Sequence, residues 1–196
     1  AVNTIVFGED GAVGHNTDRT GFARGLRAGL PDARIDRVVL LGAGGAVAAA
    51  AHALLDLGTT ELAVVDLDAA AAAALATATG GTAGTPADLP RLLAGADGLV
   101  HATPTGMAAH PGLPLPAELL DPRLWVAEIV YRPLHTALLD AARRRGCRTV
   151  DGGAMAVHQA VDALALFTGD APHPDRMLRH FVELVEAEEG ERAGVG

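Results

Sequence analysis

Three glycines and one carboxylate carry the strongest chemical signal in the chain. Gly42, Gly44 and Gly45 stand between an apolar run at 38–41 and a helical stretch reaching about residue 57, and Asp66 closes a second apolar run at 61–65. Glycine suits such a turn because the backbone must bend with φ unrestricted and approach a bound group closely. The N–H groups that open the following helix then face a phosphate. A carboxylate at the end of the second strand accepts hydrogen bonds from ribose hydroxyls and repels an extra phosphate on that ribose. Strand, glycine turn, helix, strand and acid is the order of a dinucleotide site, and the acid favours NAD over NADP. The glycines run G-x-G-G rather than the full G-x-G-x-x-G, with Val47 or Ala48 where a third small residue would ease helix–strand packing. An ordinary βαβ crossover shares part of this pattern, so the surrounding elements carry the reading.

Those elements alternate. Residues 2–7 read as a strand, 8–11 as a turn and 12–15 as a returning strand. A helix follows over 18–30, with Thr17 or Asp18 near its cap and Phe22, Leu26 and Leu30 along one face. After Asp66 come an alanine helix at 69–78, a short strand within 80–84, a brief helix at 86–94 and a strand at 98–102 that empties into Thr103-Pro104-Thr105-Gly106-Met107. A strand at 125–131, a helix at 136–145, a strand at 148–150, a Gly152-Gly153 turn and helices at 154–167 and 175–188 complete the chain. Such alternation predicts an α/β, Rossmann-like doubly wound sheet, mostly parallel, over 35–150, with ligands outside the C-terminal strand ends. Residues 1–34 and 151–196 are expected to flank it, packing on this domain or on something absent.

Composition narrows the function classes. Hydrophobic residues make up 49% of 196, largely through alanine, and no apolar stretch long enough to span a bilayer lacks glycine, charge or polar interruption. With no basic-then-apolar N-terminal segment, a cytoplasmic protein away from membranes is expected. The net charge of −9 argues against a nucleic-acid surface. A single cysteine, Cys147, allows no intrachain disulfide, and the eight histidines show no metal-ligand spacing, so no metal is expected. All 15 basic residues are arginine. The chain opens with Ala1 directly on a strand, which reads as a piece of something longer, and an apolar face left bare by the missing part is expected to drive association, a homodimer among the forms.

Five ordered stretches resemble the shikimate dehydrogenase family, and within it the quinate/shikimate branch that uses NAD. They are AVNT at the start, HNTDRTGF from His15, LLGAGGA from Leu40, HATPTGM from His101, and EIVYRPLHTALL followed by DGGAMAVHQAVDA. The resemblance implies the C-terminal two-thirds of such a protein, with 1–34 as the end of a substrate domain and its connecting helix, 35–150 as the NAD-binding domain and 151–196 as helices packing back toward the substrate domain; it implies NAD as cofactor with NADP second, and shikimate or quinate as the small-molecule partner. It implies a catalytic role for Asp18, which also touches substrate, and substrate contacts from Asn3, Tyr131 and Gln159. Around the cofactor it implies Gly42, Ala43, Gly44, Gly45, Ala46 and Val47 at the pyrophosphate and Asp66 and Leu67 at the adenosine. Thr103, Pro104 and Met107 would flank the nicotinamide ribose, with Val130, Gly153 and Met155 closing around the ring. Two departures stand out: Asp66-Leu67-Asp68 replaces the Asn-Arg-Thr motif of NADP-favouring members, and alanine near Ala71 replaces an arginine seen in the NAD branch. The family also places a catalytic lysine in its N-terminal domain, and this chain has no lysine. Other readings are a non-catalytic dinucleotide-binding module or another Rossmann oxidoreductase.

Overall fold

In the computed structural model, which describes residues 1–9, 11–170 and 172–193, six parallel strands form one sheet and two antiparallel strands form a separate hairpin. The hairpin is β1 (Thr4–Gly8) and β2 (Gly11–His15), in register from Thr4 opposite His15 to Gly8 opposite Gly11. Helix α1 (Thr17–Gly29) leads into β3 (Arg37–Leu41), α2 (Gly45–Leu57), β4 (Glu61–Val65), α3 (Ala69–Thr79) and β5 (Thr82–Gly84). Then come α4 (Leu89–Ala94), β6 (Gly98–His101), β7 (Trp125–Glu128), α5 (Ala137–Arg144), β8 (Arg148–Val150), α6 (Gly152–Thr168) and α7 (Pro174–Ala193).

The sheet order is β5-β4-β3-β6-β7-β8, so the chain steps outward from β3 and then returns to its other side at β6. That reversal opens a crevice between the loops following β3 and β6. Central strands alternate their cargo, as a period of two requires. Val38 and Leu40 pack in a core shared with α1, α2 and α3, while Val39 and Leu41 pack in a second core with α4 and α5. Both sheet faces are thus covered, which explains the unbroken apolar runs. Phe22, Leu26 and Leu30 anchor α1 in the first core at 3–5% exposure. Each such side chain contributes roughly 1.5–3 kcal/mol on burial, so these three hold the C-terminal half of α1 in the core.

Three local expectations are corrected. The cap of α1 is Asn16, whose side chain accepts from the Arg19 N–H, not Thr17 or Asp18. β7 stops at Glu128 rather than running to 131, because the Val130 N–H donates to the Glu128 carboxylate at 3.1 Å instead of a neighbouring strand. Gly152 and Gly153 open α6 rather than forming a turn, with Asp151 accepting from the Gly153 N–H at 2.9 Å. A Cβ on Gly152 would lie 2.4 Å from the Ile129 carbonyl oxygen, so only glycine lets this helix start so close to the loop after β7. On the hairpin, Ile5, Phe7 and Val13 leave half or more of their surface exposed. Among the described residues no helix is long and apolar enough to cross a membrane, and no group of three metal-ligating side chains converges.

Candidate functional site

The glycine turn sits at the crevice. Gly42 has φ of +119°, and a Cβ there would lie 2.9 Å from the Ala102 carbonyl oxygen and 3.3 Å from Thr103 Cγ2. Both the backbone sign and the close approach therefore require glycine. Side chains cap α1, α3, α5 and α6 (Asn16, Asp68, Thr136 and Asp151), whereas Gly44 leaves α2 without any side-chain cap. Gly44 and Gly45 both have open space where a Cβ would project. The first-turn N–H groups of Gly45, Ala46 and Val47 are left for an external acceptor, and the helix dipole makes an anion the favoured one. Ala43 and Val47 turn inward onto the first core, so only their backbone can serve a ligand.

Asp66 lies just beyond β4, one strand away; the Gly42 N–H donates to the Val65 carbonyl at 2.7 Å, tying the turn to that strand end. One Asp66 oxygen accepts the Asp68 N–H at 2.8 Å, which orients the carboxylate. Leu67 is 91% exposed and touches little of the protein. From 66 to 90 the chain contains no arginine, lysine or histidine.

On the other side of the turn, a cleft of about 450 Å³ is lined by Asn3, Asp18, Tyr131 and Gln159 together with Ala46 and Met155. The four proposed substrate contacts come from four separate segments, and the fold brings them together. Thr17 organises them: its N–H donates to Asn3 Oδ1 at 2.8 Å, Asn3 Nδ2 donates to its hydroxyl at 2.9 Å, and that hydroxyl lies 3.4 Å from Gln159 Oε1. α1 approaches α6 closely at this level, since a Cβ on Gly21 would be 2.7 Å from the Gln159 nitrogen. Arg19 pairs with Asp56 of α2 through two 2.6 Å hydrogen bonds, which hold the Asp56 carboxyl below the usual carboxylate range. Phe181 of α7 also lines the cleft and holds the Tyr131 ring with centroids 6.3 Å apart. The sequence marked Phe181 only as a packing residue.

Thr103, Pro104, Met107, Val130 and Gly153 do not line that cleft. Met107 faces an adjoining groove with Arg132 and Pro133. Val130 is buried, and Gly153 has Leu134 and Phe181 about 3 Å from where a side chain would start. Beneath this loop region runs a polar chain that sequence reasoning passed over. His101 Nδ1 is 2.8 Å from Glu128 Oε1, and His101 Nε2 is 2.6 Å from the Thr103 hydroxyl. Thr136 donates to Glu128 Oε2 at 3.2 Å. His101, Glu128 and Thr136 are each 2% exposed or less.

No family model matches the chain. A shikimate dehydrogenase (NADP(+)) of Streptomyces avermitilis is 62% identical over 191 residues, covering 94% of this chain and 66% of that protein. A quinate/shikimate dehydrogenase (NAD(+)) of Corynebacterium efficiens is 51% identical over 192 residues, covering 94% and 68%. The chain belongs to the shikimate dehydrogenase family. It spans about two-thirds of the length of these relatives. The fold agrees: quinate dehydrogenase from Corynebacterium glutamicum in complex with NAD superposes with a TM-score of 0.89 at 46% identity, covering 93% of this chain and 68% of that one. The part matched is the C-terminal, NAD(P)-binding part of shikimate dehydrogenases. The relatives' names divide between NADP and NAD, with an NADP name at 62% identity, so the likeness does not single out the NAD branch.

Proposed function

We propose that this chain is the cofactor-holding part of an NAD-dependent dehydrogenase that oxidises shikimate or quinate to the 3-dehydro acid and runs the reverse reduction. The observation carrying this reading is the single cleft in which Asn3, Asp18, Tyr131 and Gln159 meet Ala46 at the start of the glycine-turn helix. A polyhydroxylated acid is held by several neutral hydrogen-bonding groups converging on one place, and two amides and a phenol supply them. Oxidising a secondary alcohol removes a hydride from carbon and a proton from oxygen, and a bound nicotinamide takes the hydride. Asp18 would hold the hydroxyl that loses its proton; Asn16 caps the helix, so the Asp18 carboxylate is not spent on that task.

The uncapped N terminus of α2 would take the pyrophosphate, with Thr103, Pro104, Met107, Val130, Gly153 and Met155 around the nicotinamide end. The choice of NAD rests on the segment after β4. Asp66 repels a 2′-phosphate, and no cationic side chain occurs between 66 and 90 to neutralise one. Residues 35–150 would form the cofactor domain, with 1–34 and 151–196 as the pieces that join it to substrate-binding parts. In the family an aspartate and a lysine share the proton transfer. Since all 15 basic residues here are arginine, Asp18 has no such partner within the chain, and turnover by these 196 residues alone should be poor or nil.

Two measurements test the reading. Calorimetric titration of the chain should give tighter binding of NAD than of NADP, and equal or reversed affinities would refute the cofactor choice. NADH formation with shikimate and with quinate should appear only in a form extended to the full length of the relatives. Turnover by the short chain would show that Asp18 suffices, and an extended form inert toward both acids would favour a binding module or a different Rossmann oxidoreductase.

A further inference from the structure

The buried chain from Glu128 through His101 to Thr103 is constrained at its Glu128 end by two neighbours. The Thr136 hydroxyl accepts the Leu139 N–H at 3.2 Å, so its own hydrogen goes to Glu128 Oε2. The Val130 N–H occupies Glu128 Oε1. Both Glu128 oxygens thus accept, and a carboxylate there takes the Nδ1–H of His101, 2.8 and 3.0 Å away. A neutral ring then carries its proton on Nδ1 and accepts the Thr103 hydrogen at Nε2 across 2.6 Å, whereas an imidazolium would donate from both nitrogens. The Thr105 N–H takes one Thr103 lone pair at 3.3 Å. One lone pair remains, on a side chain whose methyl lies against Gly42.

The order hydroxyl, imidazole, carboxylate is that of an activated nucleophile. Here the imidazole has no exposed surface, so no ligand or solvent reaches it to exchange a proton. The arrangement instead fixes direction. A dinucleotide whose pyrophosphate sits at the glycine turn and whose adenosine ribose meets Asp66, on the β4 side, must place its second ribose on the β6 side, where Thr103 stands. We propose that His101, as the neutral Nδ1–H ring, and Glu128 are positioning residues that hold the Thr103 hydroxyl as an acceptor toward the second ribose of the dinucleotide, so that this ribose binds by donating a hydroxyl hydrogen. The proposal rests on the cofactor reading above. It also explains why two polar side chains tolerate complete burial at the ends of adjacent apolar strands: each hydrogen-bonding atom has a partner.

The test uses the full 196-residue chain with NAD, ADP-ribose and ADP as probes, followed by calorimetry. ADP lacks the second ribose and reports the α2 and Asp66 end alone. H101N keeps a neutral donor toward Glu128 but cannot reach Thr103; E128Q leaves the imidazole in place and upsets its proton order; T103V removes the hydroxyl. Each variant should lose about tenfold in affinity for NAD and ADP-ribose while binding ADP within about twofold of wild type. The double variant H101N/T103V should lose no more than T103V alone, because His101 acts through Thr103. Nitrogen-15 shifts should show Nδ1 of His101 protonated and Nε2 bare. Additive losses, equal losses for ADP and NAD, unchanged ADP-ribose binding, or a proton on Nε2 would each overturn the proposal. Wild-type chain that binds ADP but not NAD overturns it while leaving the turn as a nucleotide site; wild-type chain that binds neither overturns the cofactor reading and this proposal together.

Discussion

Asn3 and Thr17 are locked by reciprocal hydrogen bonds, 2.8 Å from the Thr17 N–H to Asn3 Oδ1 and 2.9 Å from Asn3 Nδ2 to the Thr17 hydroxyl. The pair fastens the hairpin to the start of α1 and sets the height of Asp18 above the cleft. Asn3→Ala should cost about 1–2 kcal/mol by urea denaturation, since a helix-start N–H loses its acceptor. Asn3→Asp keeps that acceptor and should cost less.

Gly21 marks the closest approach of α1 to α6. Gly21→Ala forces a methyl to within 2.7 Å of the Gln159 backbone nitrogen and should lower stability by about 1–3 kcal/mol, despite alanine's better helix propensity. A rise in melting temperature would show that the two helices separate without penalty.

Asp18→Asn, made in a form extended to full family length, should reduce the rate of NADH formation about 10²–10⁴-fold. NAD affinity, measured in parallel, should stay put. A matching loss of NAD affinity would place Asp18 in cofactor binding instead.

Asp66→Asn removes the charge that disfavours a 2′-phosphate. The ratio of NADP to NAD affinity should rise about tenfold, and adding Ala71→Arg should raise it further by supplying a cation on the same stretch. No change in the ratio would mean that the adenosine ribose lies away from Asp66.

His158 links acidity to stability. Its Nδ1 is buried without a hydrogen-bond partner among the described residues, and burial, then the charge of Arg24 on α1, lowers its pKa, against Asp162 on α6 and Asp175 on α7, which favour the charged form. Above the unfolded value of about 6.5 the imidazole is neutral folded or unfolded and contributes nothing. As pH falls below that, the unfolded chain takes up a proton first, so stability should decline until the lower folded pKa is passed. Denaturation midpoints at pH 7.5 and 5.5 should differ less in His158→Gln than in wild type.

The sheet was legible because its central strands are buried on both faces and read as continuous apolar runs ended by glycine or acid. The glycine turn was legible for the same reason. Less legible were the places where a side chain overrules the backbone pattern: Glu128 captures the Val130 N–H and ends β7 early, and Asp151 starts α6 at two glycines that look like a turn. The His101–Glu128 pair had one available signal. Both are the last residues of adjacent apolar strands, and they are register partners in the sheet. Sequence periodicity cannot supply that pairing, because strand order is set by the crossovers. Phe181 was hidden differently, as a packing residue on a terminal helix whose face toward Tyr131 depends on how α7 folds back.

α1 carries Asp18 at one end and, at the other, Phe22, Leu26 and Leu30 sunk into the same core that supports the glycine turn. Arg19 clasps α2 alongside. The gap between the Asp18 carboxylate and the glycine-turn helix is therefore a fixed dimension, like the span between two bolts on one casting. Changing it would mean pulling a helix out of the core. Any opening and closing that a bound acid requires must come from a body that does not carry Asp18.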